Sequence, residues 1–408
     1  MNIFLINPAI IYSVVWLLAL SLYQLHFSNI LTPLNSKTVV YILLSVVMVC
    51  LAWITAKLIL YKVRFPKYHV YDSCISNDTF FKIRCLFATW VIGTCITLIY
   101  LHDLPILTIF GWSHMTYADY GITSLQGFLN AILQSISIYM LYLYLTIKNR
   151  RYLYFFILTL LFPLFTLNRG MLTSMVLEAL FTFLVFSSLR TISLVKLFLF
   201  AMFFIVFFGL MGEFRYIGVI DDSDLIYKAF NISEDYPIWL PKSFIWFYLY
   251  VTTPLMNISN IIYQFPDFSF QPYVMIFSTF PTLLRSILEA PVTINLANPA
   301  FNVASFMPHF LTAYGYVGSL IFYYFASFIS FYYYYKFLLK GRLTDGFILI
   351  ILLHSIVLSI FSDFFFIATY IFQIILQYYV FGLISYNNFL KKIITSQKKF
   401  ENLDSIKN

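Results

Sequence analysis

Charge is scarce in this sequence. Only 10% of its 408 residues are Asp, Glu, Lys or Arg, whereas soluble domains carry about 25%. That is too little to cover a water-facing surface of this size. With 61% apolar residues, 21% aromatic residues and a mean hydropathy of +0.85, lipid must cover most of the chain, which excludes soluble enzyme folds. Cysteine is sparse too. Cys50, Cys74, Cys85 and Cys95 lie in or near apolar runs, with no paired spacing and no histidine cluster beside them, so they build neither a disulfide framework nor a zinc site. Also missing are a phosphate-binding Gly loop, a His-Glu-x-x-His zinc helix and a Gly-x-Ser-x-Gly nucleophile turn, the usual carriers of ATP-driven transport and of hydrolase chemistry. The first apolar run lacks a basic start and a small-residue cleavage pattern, so it reads as a retained span.

What is present is a succession of apolar runs. Hydropathy windows of about 19 residues place spans at 8–27, 38–60, 85–101, 122–147, 152–167, 171–189, 193–212, 243–264, 314–337, 345–361 and 364–386, with weaker stretches at 273–284 and 299–313. The expected fold is all-α: one polytopic membrane domain of about 10–12 transmembrane helices. Within it, 1–212 form the N-terminal spans, 213–313 an external or re-entrant region, and 314–408 the C-terminal spans and a basic tail. Lys and Arg cluster at alternate connections and in the tail, which orients both termini to the cytoplasm. The formal net charge of +8 therefore records topology rather than a nucleic-acid patch. Only Lys37, Arg169, Arg215, Lys228, Lys242 and Arg285 remain for the other side. Either 243–264 pairs with one of the weak stretches to cross, or the region dips in without crossing. Its prolines, from Pro254 to Pro308, favour broken pieces, which lipid tolerates where they line a protein cavity.

Charges on that second side carry the candidate chemistry. Arg169, in the turn Leu167-Asn168-Arg169-Gly170, is expected at the membrane boundary, either snorkelling or holding a ligand. Glu178 lies about 13 Å deeper along a helix and must face protein or water, where a basic partner is one reading. Arg215 follows Glu213 at the head of an acidic loop and could pair with it or with Asp221, Asp222 or Asp224. Asp222-Ser223-Asp224 reads as that solvated loop rather than a metal-holding motif. Arg285 is flanked by apolar residues. Three arginines on one membrane face suit an anionic ligand such as pyrophosphate, because the planar guanidinium fork binds phosphate oxygens with two bonds and keeps its charge. His309 is either a packed residue or a general base. Asp363, Tyr314 and Tyr316 are secondary candidates, and Tyr323-Tyr324 and Tyr332 to Tyr335 read as interfacial aromatic anchors.

Leu167-Asn168-Arg169-Gly170, Gly212-Glu213-Phe214-Arg215, Tyr250 to Asn257, and Phe301 to Phe306 followed by Ala313-Tyr314-Gly315-Tyr316-Val317-Gly318 give the chain its resemblance. It resembles the bacterial oligosaccharide repeat-unit polymerases, the Wzy-type O-antigen and capsule polymerases related to O-antigen ligases. The resemblance implies a GT-C-like membrane glycosyltransferase of the bacterial cytoplasmic membrane that needs no metal or other cofactor. It would transfer a growing glycan from polyprenyl (undecaprenyl) pyrophosphate to a sugar hydroxyl of the next lipid-linked unit at the outer face. It also implies pyrophosphate binding by Arg169, Arg215 and Arg285, with His309 or Glu213 as base. Its partners would be lipid-linked oligosaccharides and membrane lipid, with a chain-length regulator and a flippase alongside and no nucleic acid. The alternatives are an O-antigen ligase, with the same chemistry on another acceptor, and a lipid-linked oligosaccharide flippase or transporter.

Overall fold

The computed structural model describes residues 3–61, 77–187 except 117, 230–264 except 242, and 303–382, with scattered positions between 199 and 212 and between 273 and 296. Among these residues every regular element is helical, and the only β pairing consists of isolated bridges. The helices are α1 (Pro8–Tyr23), α2 (Ser36–Tyr61), α3 (Asn77–Leu101), α4 (Leu125–Ile147), α5 (Arg150–Phe165), α6 (Arg169–Phe186), α7 (Phe244–Gln264), α8 (Met307–Lys340), α9 (Leu343–Leu358) and α10 (Ala368–Gln377). Five of them, α2, α3, α4, α6 and α8, are long and apolar enough to cross a membrane, while α1 and α9 are shorter apolar helices. The protein is an all-α chain built for lipid. Half of the expected span at 193–212 falls outside the described residues.

Asparagines start three of these helices. The side chains of Asn7, Asn149 and Asn168 accept backbone N–H groups of Ala9, Arg151 and Met171 at 2.9, 3.0 and 2.9 Å, satisfying donors that a helix start leaves open. Pro8 and Pro308 sit in first turns, where their fixed φ suits the helix and no N–H is missed. Helix α9 is apolar and buried on nearly every side, as expected of a helix at the centre of a bundle. Around it pack α1, α6, α8 and α10, and α4 joins α3, α5, α6 and α10 on the other flank.

Two departures from the sequence reading bear on the site. Helix α8 starts at Met307, earlier than the expected 314, and breaks at Gly315, whose φ of 64° and ψ of −170° belong to a region open essentially to glycine alone. Residues 307–314 thus form a separate short piece below the break. Gly315→Ala should lower stability by about 1–3 kcal/mol, measured by thermal melting in detergent. Helix α7 runs alongside the connection between α1 and α2. Tyr248 Oη accepts the Phe27 N–H at 3.1 Å, Ser259 Oγ accepts the Asn35 N–H at 3.3 Å, and Tyr316 Oη donates to Ile262 O at 3.3 Å. These contacts join α7 to the α1–α2 connection and to the start of α8 just past Gly315.

The tyrosine run is corrected in part. Tyr323 and Tyr334 are buried rather than interfacial, and Tyr323 meets Tyr41 hydroxyl to hydroxyl at 2.8 Å, with Ser319 2.7 Å from the same Tyr41 oxygen. A tyrosine ring packs as well inside a protein as at an interface once its hydroxyl finds a partner.

Candidate functional site

Arg169 opens α6, and its guanidinium is enclosed by aromatic rings. The residue is 7% exposed, and its guanidinium carbon lies 4.5 Å from the ring centre of Tyr250, 5.1 Å from Trp246 and 5.4 Å from Phe208. One terminal nitrogen donates to Tyr250 Oη. Rings on three sides attract the cation through their negative faces and fix its plane. Gly212 closes the cage: a Cβ there would fall 2.9 Å from Arg169 Nη1 and 2.9 Å from the Trp246 ring. Residues 39 positions or more away from Arg169 in sequence thus converge on this one fixed cation at a helix N-terminus, where the backbone dipole adds positive potential. Glu213 and Arg215, the next candidates along the chain, lie outside the described residues.

Arg285 ends a short helical turn, Thr282–Arg285. It is half-buried, its Nε donates to Phe280 O at 2.7 Å, and its guanidinium carbon stands 5.7 Å from the Phe277 ring centre. Partial burial pulls this group below the usual arginine range. It lines a cavity of about 420 Å³ together with Tyr120, Gln126, Ile367 and Thr369. Arg169 and His309 are not among the described residues lining that cavity.

The loop between α9 and α10 ties these places together. Its Phe361 ring lies 6.4 Å from that of Tyr250 in the Arg169 cage, and its Ile367 lines the Arg285 cavity. Just before His309, Ser305 N–H donates to Phe361 O at 3.1 Å and Phe306 N–H to Ser359 O at 3.0 Å. His309 itself sits half-buried in the first turn of α8. Asp363 Oδ1 accepts the N–H groups of Phe365 and Phe366 at 3.1 and 3.2 Å, holding the loop's shape, and burial pushes its carboxyl up to about 6.

Below Arg169 on α6, Glu178 is 0% exposed. The imidazole of His354 on α9 stands beside it, with Nδ1 3.4 Å from Glu178 Oε1 and 2.8 Å from Ile351 O. Gln373 of α10 donates to the same carboxylate oxygen at 2.9 Å. One turn nearer Arg169, Ser174 Oγ and Tyr370 Oη lie 3.0 Å apart, and deeper on α10 Gln377 accepts from Tyr139 Oη at 2.8 Å. This polar seam joins α4, α6, α9 and α10 beneath the cage. The sequence reading missed His354, Gln373 and Gln377. Their one signal was polarity inside apolar runs, with the two glutamines at i, i+4 on a single face.

Chemically, the arrangement offers immobilised guanidinium groups and a histidine at one end of an apolar helix bundle. Among the described residues no group of three or more His, Cys, Asp or Glu side chains could hold a metal ion. Comparison with known protein families, with curated proteins and with solved structures finds no match.

Proposed function

We propose that this chain is a membrane glycosyltransferase that polymerises lipid-linked oligosaccharide repeat units, drawing the glycan from a polyprenyl pyrophosphate. The observation that carries the reading is the caged Arg169 at the start of α6, held beside Gly212 of the Gly212-Glu213-Phe214-Arg215 motif. In this reading the chain makes 10–12 crossings of the bacterial cytoplasmic membrane with a GT-C-like architecture, both termini are cytoplasmic, and the Arg169 end faces outward.

The acceptor hydroxyl oxygen attacks the anomeric carbon of the donor. The bond from that carbon to the pyrophosphate oxygen breaks, and its electron pair leaves with the pyrophosphate. Negative charge grows on the departing oxygen, so preorganised cations act where the transition state needs them. Arg169, Arg215 and Arg285 fill that role. Because pyrophosphate is itself a competent leaving group, no nucleotide is consumed. The hydroxyl proton passes to a base, His309 or Glu213 in this reading.

The test is incubation of purified protein with lipid-linked repeat units and no nucleotide. A ladder of glycans differing by one unit is expected. Arg285→Ala should shorten the ladder and slow its growth by about tenfold or more, and His309→Ala should flatten the rate's dependence on pH. Absence of a ladder under conditions where the protein stays folded, or ladders unchanged in the Arg169, Arg215 and Arg285 variants, would reject the proposal.

A further inference from the structure

A second feature lies at the opposite end of the bundle from Arg169, since α5 runs from there to the turn that carries Arg169. The first turns of α3 and α5 and the last turns of α4 enclose a cleft of about 430 Å³. Its inner walls are apolar, with Phe87, Trp90, Ile136 and Leu158 among them, and Arg84, Asn149 and Arg151 also line it. Both arginines are exposed, and neither forms an ion pair with a carboxylate among the described residues.

The dimensions are those of one leaflet. Along α3 the lining runs from Phe80 to Trp90, about 15 Å at the helical rise, half of the roughly 30 Å hydrocarbon core. Arginines reach outward along their stems to the headgroup level. A single hydrocarbon chain entering between α3 and α5 would bury its length against Phe87, Trp90 and Leu158, while its headgroup met two guanidinium groups that pair well with phosphate oxygens. A zwitterionic headgroup carries its own cation into that position, whereas a net-negative one does not.

We infer that the cleft between α3, α4 and α5 is a binding site for one anionic phospholipid, its phosphate held by Arg84 and Arg151 and one acyl chain seated on the apolar wall. The site is separate from the proposed transfer chemistry and does not rest on it. Nothing in it requires the repeat-unit reading to be correct.

The experiment is native mass spectrometry of the full-length protein in detergent, titrated with phosphatidylglycerol and, separately, with phosphatidylcholine of the same chains. One phosphatidylglycerol should be retained at least about tenfold more tightly than phosphatidylcholine, given two basic groups at the headgroup level. Arg84→Gln with Arg151→Gln should abolish that preference, and Arg84→Lys with Arg151→Lys should restore much of it, which separates lost charge from lost folding. Leu158→Trp, which narrows the cleft and leaves both arginines in place, should weaken retention of either lipid. Equal retention of the two lipids by the wild-type protein, or an unchanged preference in the double Gln variant, overturns the inference. So does equal competition by glycerol phosphate, which would mark a headgroup-only site, or tighter capture of a polyprenyl phosphate, which would mark a different occupant.

Discussion

Arg169→Ala should cut glycan chain growth by about 100-fold or more, the loss typical of removing one preorganised group that stabilises developing negative charge. The protein should still reach the membrane and remain folded. Three ring contacts and the bond to Tyr250 Oη contribute about 1–2 kcal/mol through cation–π attraction, less than the 5–15 kcal/mol by which domains are stable. Arg169→Lys keeps the charge but loses the planar fork and the flat face between the rings, so it should recover only a small part of the rate. Gly212→Ala makes a sharper test, because it leaves every charge in place. Its methyl group meets Arg169 Nη1 and the Trp246 ring at 2.9 Å. The ring cannot yield as a flexible chain end can, so the guanidinium must shift, and a misplacement of this kind should slow growth by about tenfold or more. Both sets are read from the rate of ladder formation beside a melting curve of each variant. Wild-type rates in Arg169→Ala would remove the cage from the chemistry.

Glu178→Ala should be the most destabilising single change in the seam, by about 1–3 kcal/mol, because it strips a fully buried hydrogen-bonding group from its partners. The Gln373 amide and the His354 imidazole, both 0% exposed, would lose the oxygen they share with no water to replace it. Glu178→Gln keeps an oxygen where Gln373 and His354 meet it, and its loss should be within about 1 kcal/mol. Thermal melting in detergent separates the two. If alanine and glutamine cost the same, the seam is not held by these contacts. Because Glu178 and Arg169 share α6, Glu178→Ala should also slow chain growth, through the tilt of that helix rather than through contact with substrate.

Much of the fold could be read without coordinates. Apolar runs fell on all ten helices and placed both ends of seven to within about four residues, because in lipid a helix satisfies its own backbone and long apolar runs have few other solutions. Boundaries were missed where polar residues belong to a helix. α3 begins at Asn77 rather than 85, and its first turns carry the Asp78–Lys82 pair at 2.6 Å, which hydropathy alone counts as loop. Helix α7 was found at its position, but its contacts to Phe27, Asn35 and Tyr316 could not be read from hydropathy. Of the site, Arg169 and Glu178 stood out as charges interrupting apolar sequence. His354 and Gln373 did not, because each is an ordinary polar residue until α9 and α10 bring it against α6.

By itself the sequence determined the solvent of this protein and the places where charge could be afforded, since composition and hydropathy act through transfer free energies that add residue by residue. Only the tertiary structure decided that three rings enclose Arg169, that Glu178 meets a histidine and an amide, and that Arg84 and Arg151 border one cleft. A buried polar group must find its partner wherever packing delivers one, and for Glu178 that partner, Gln373, lies 195 residues away in the chain.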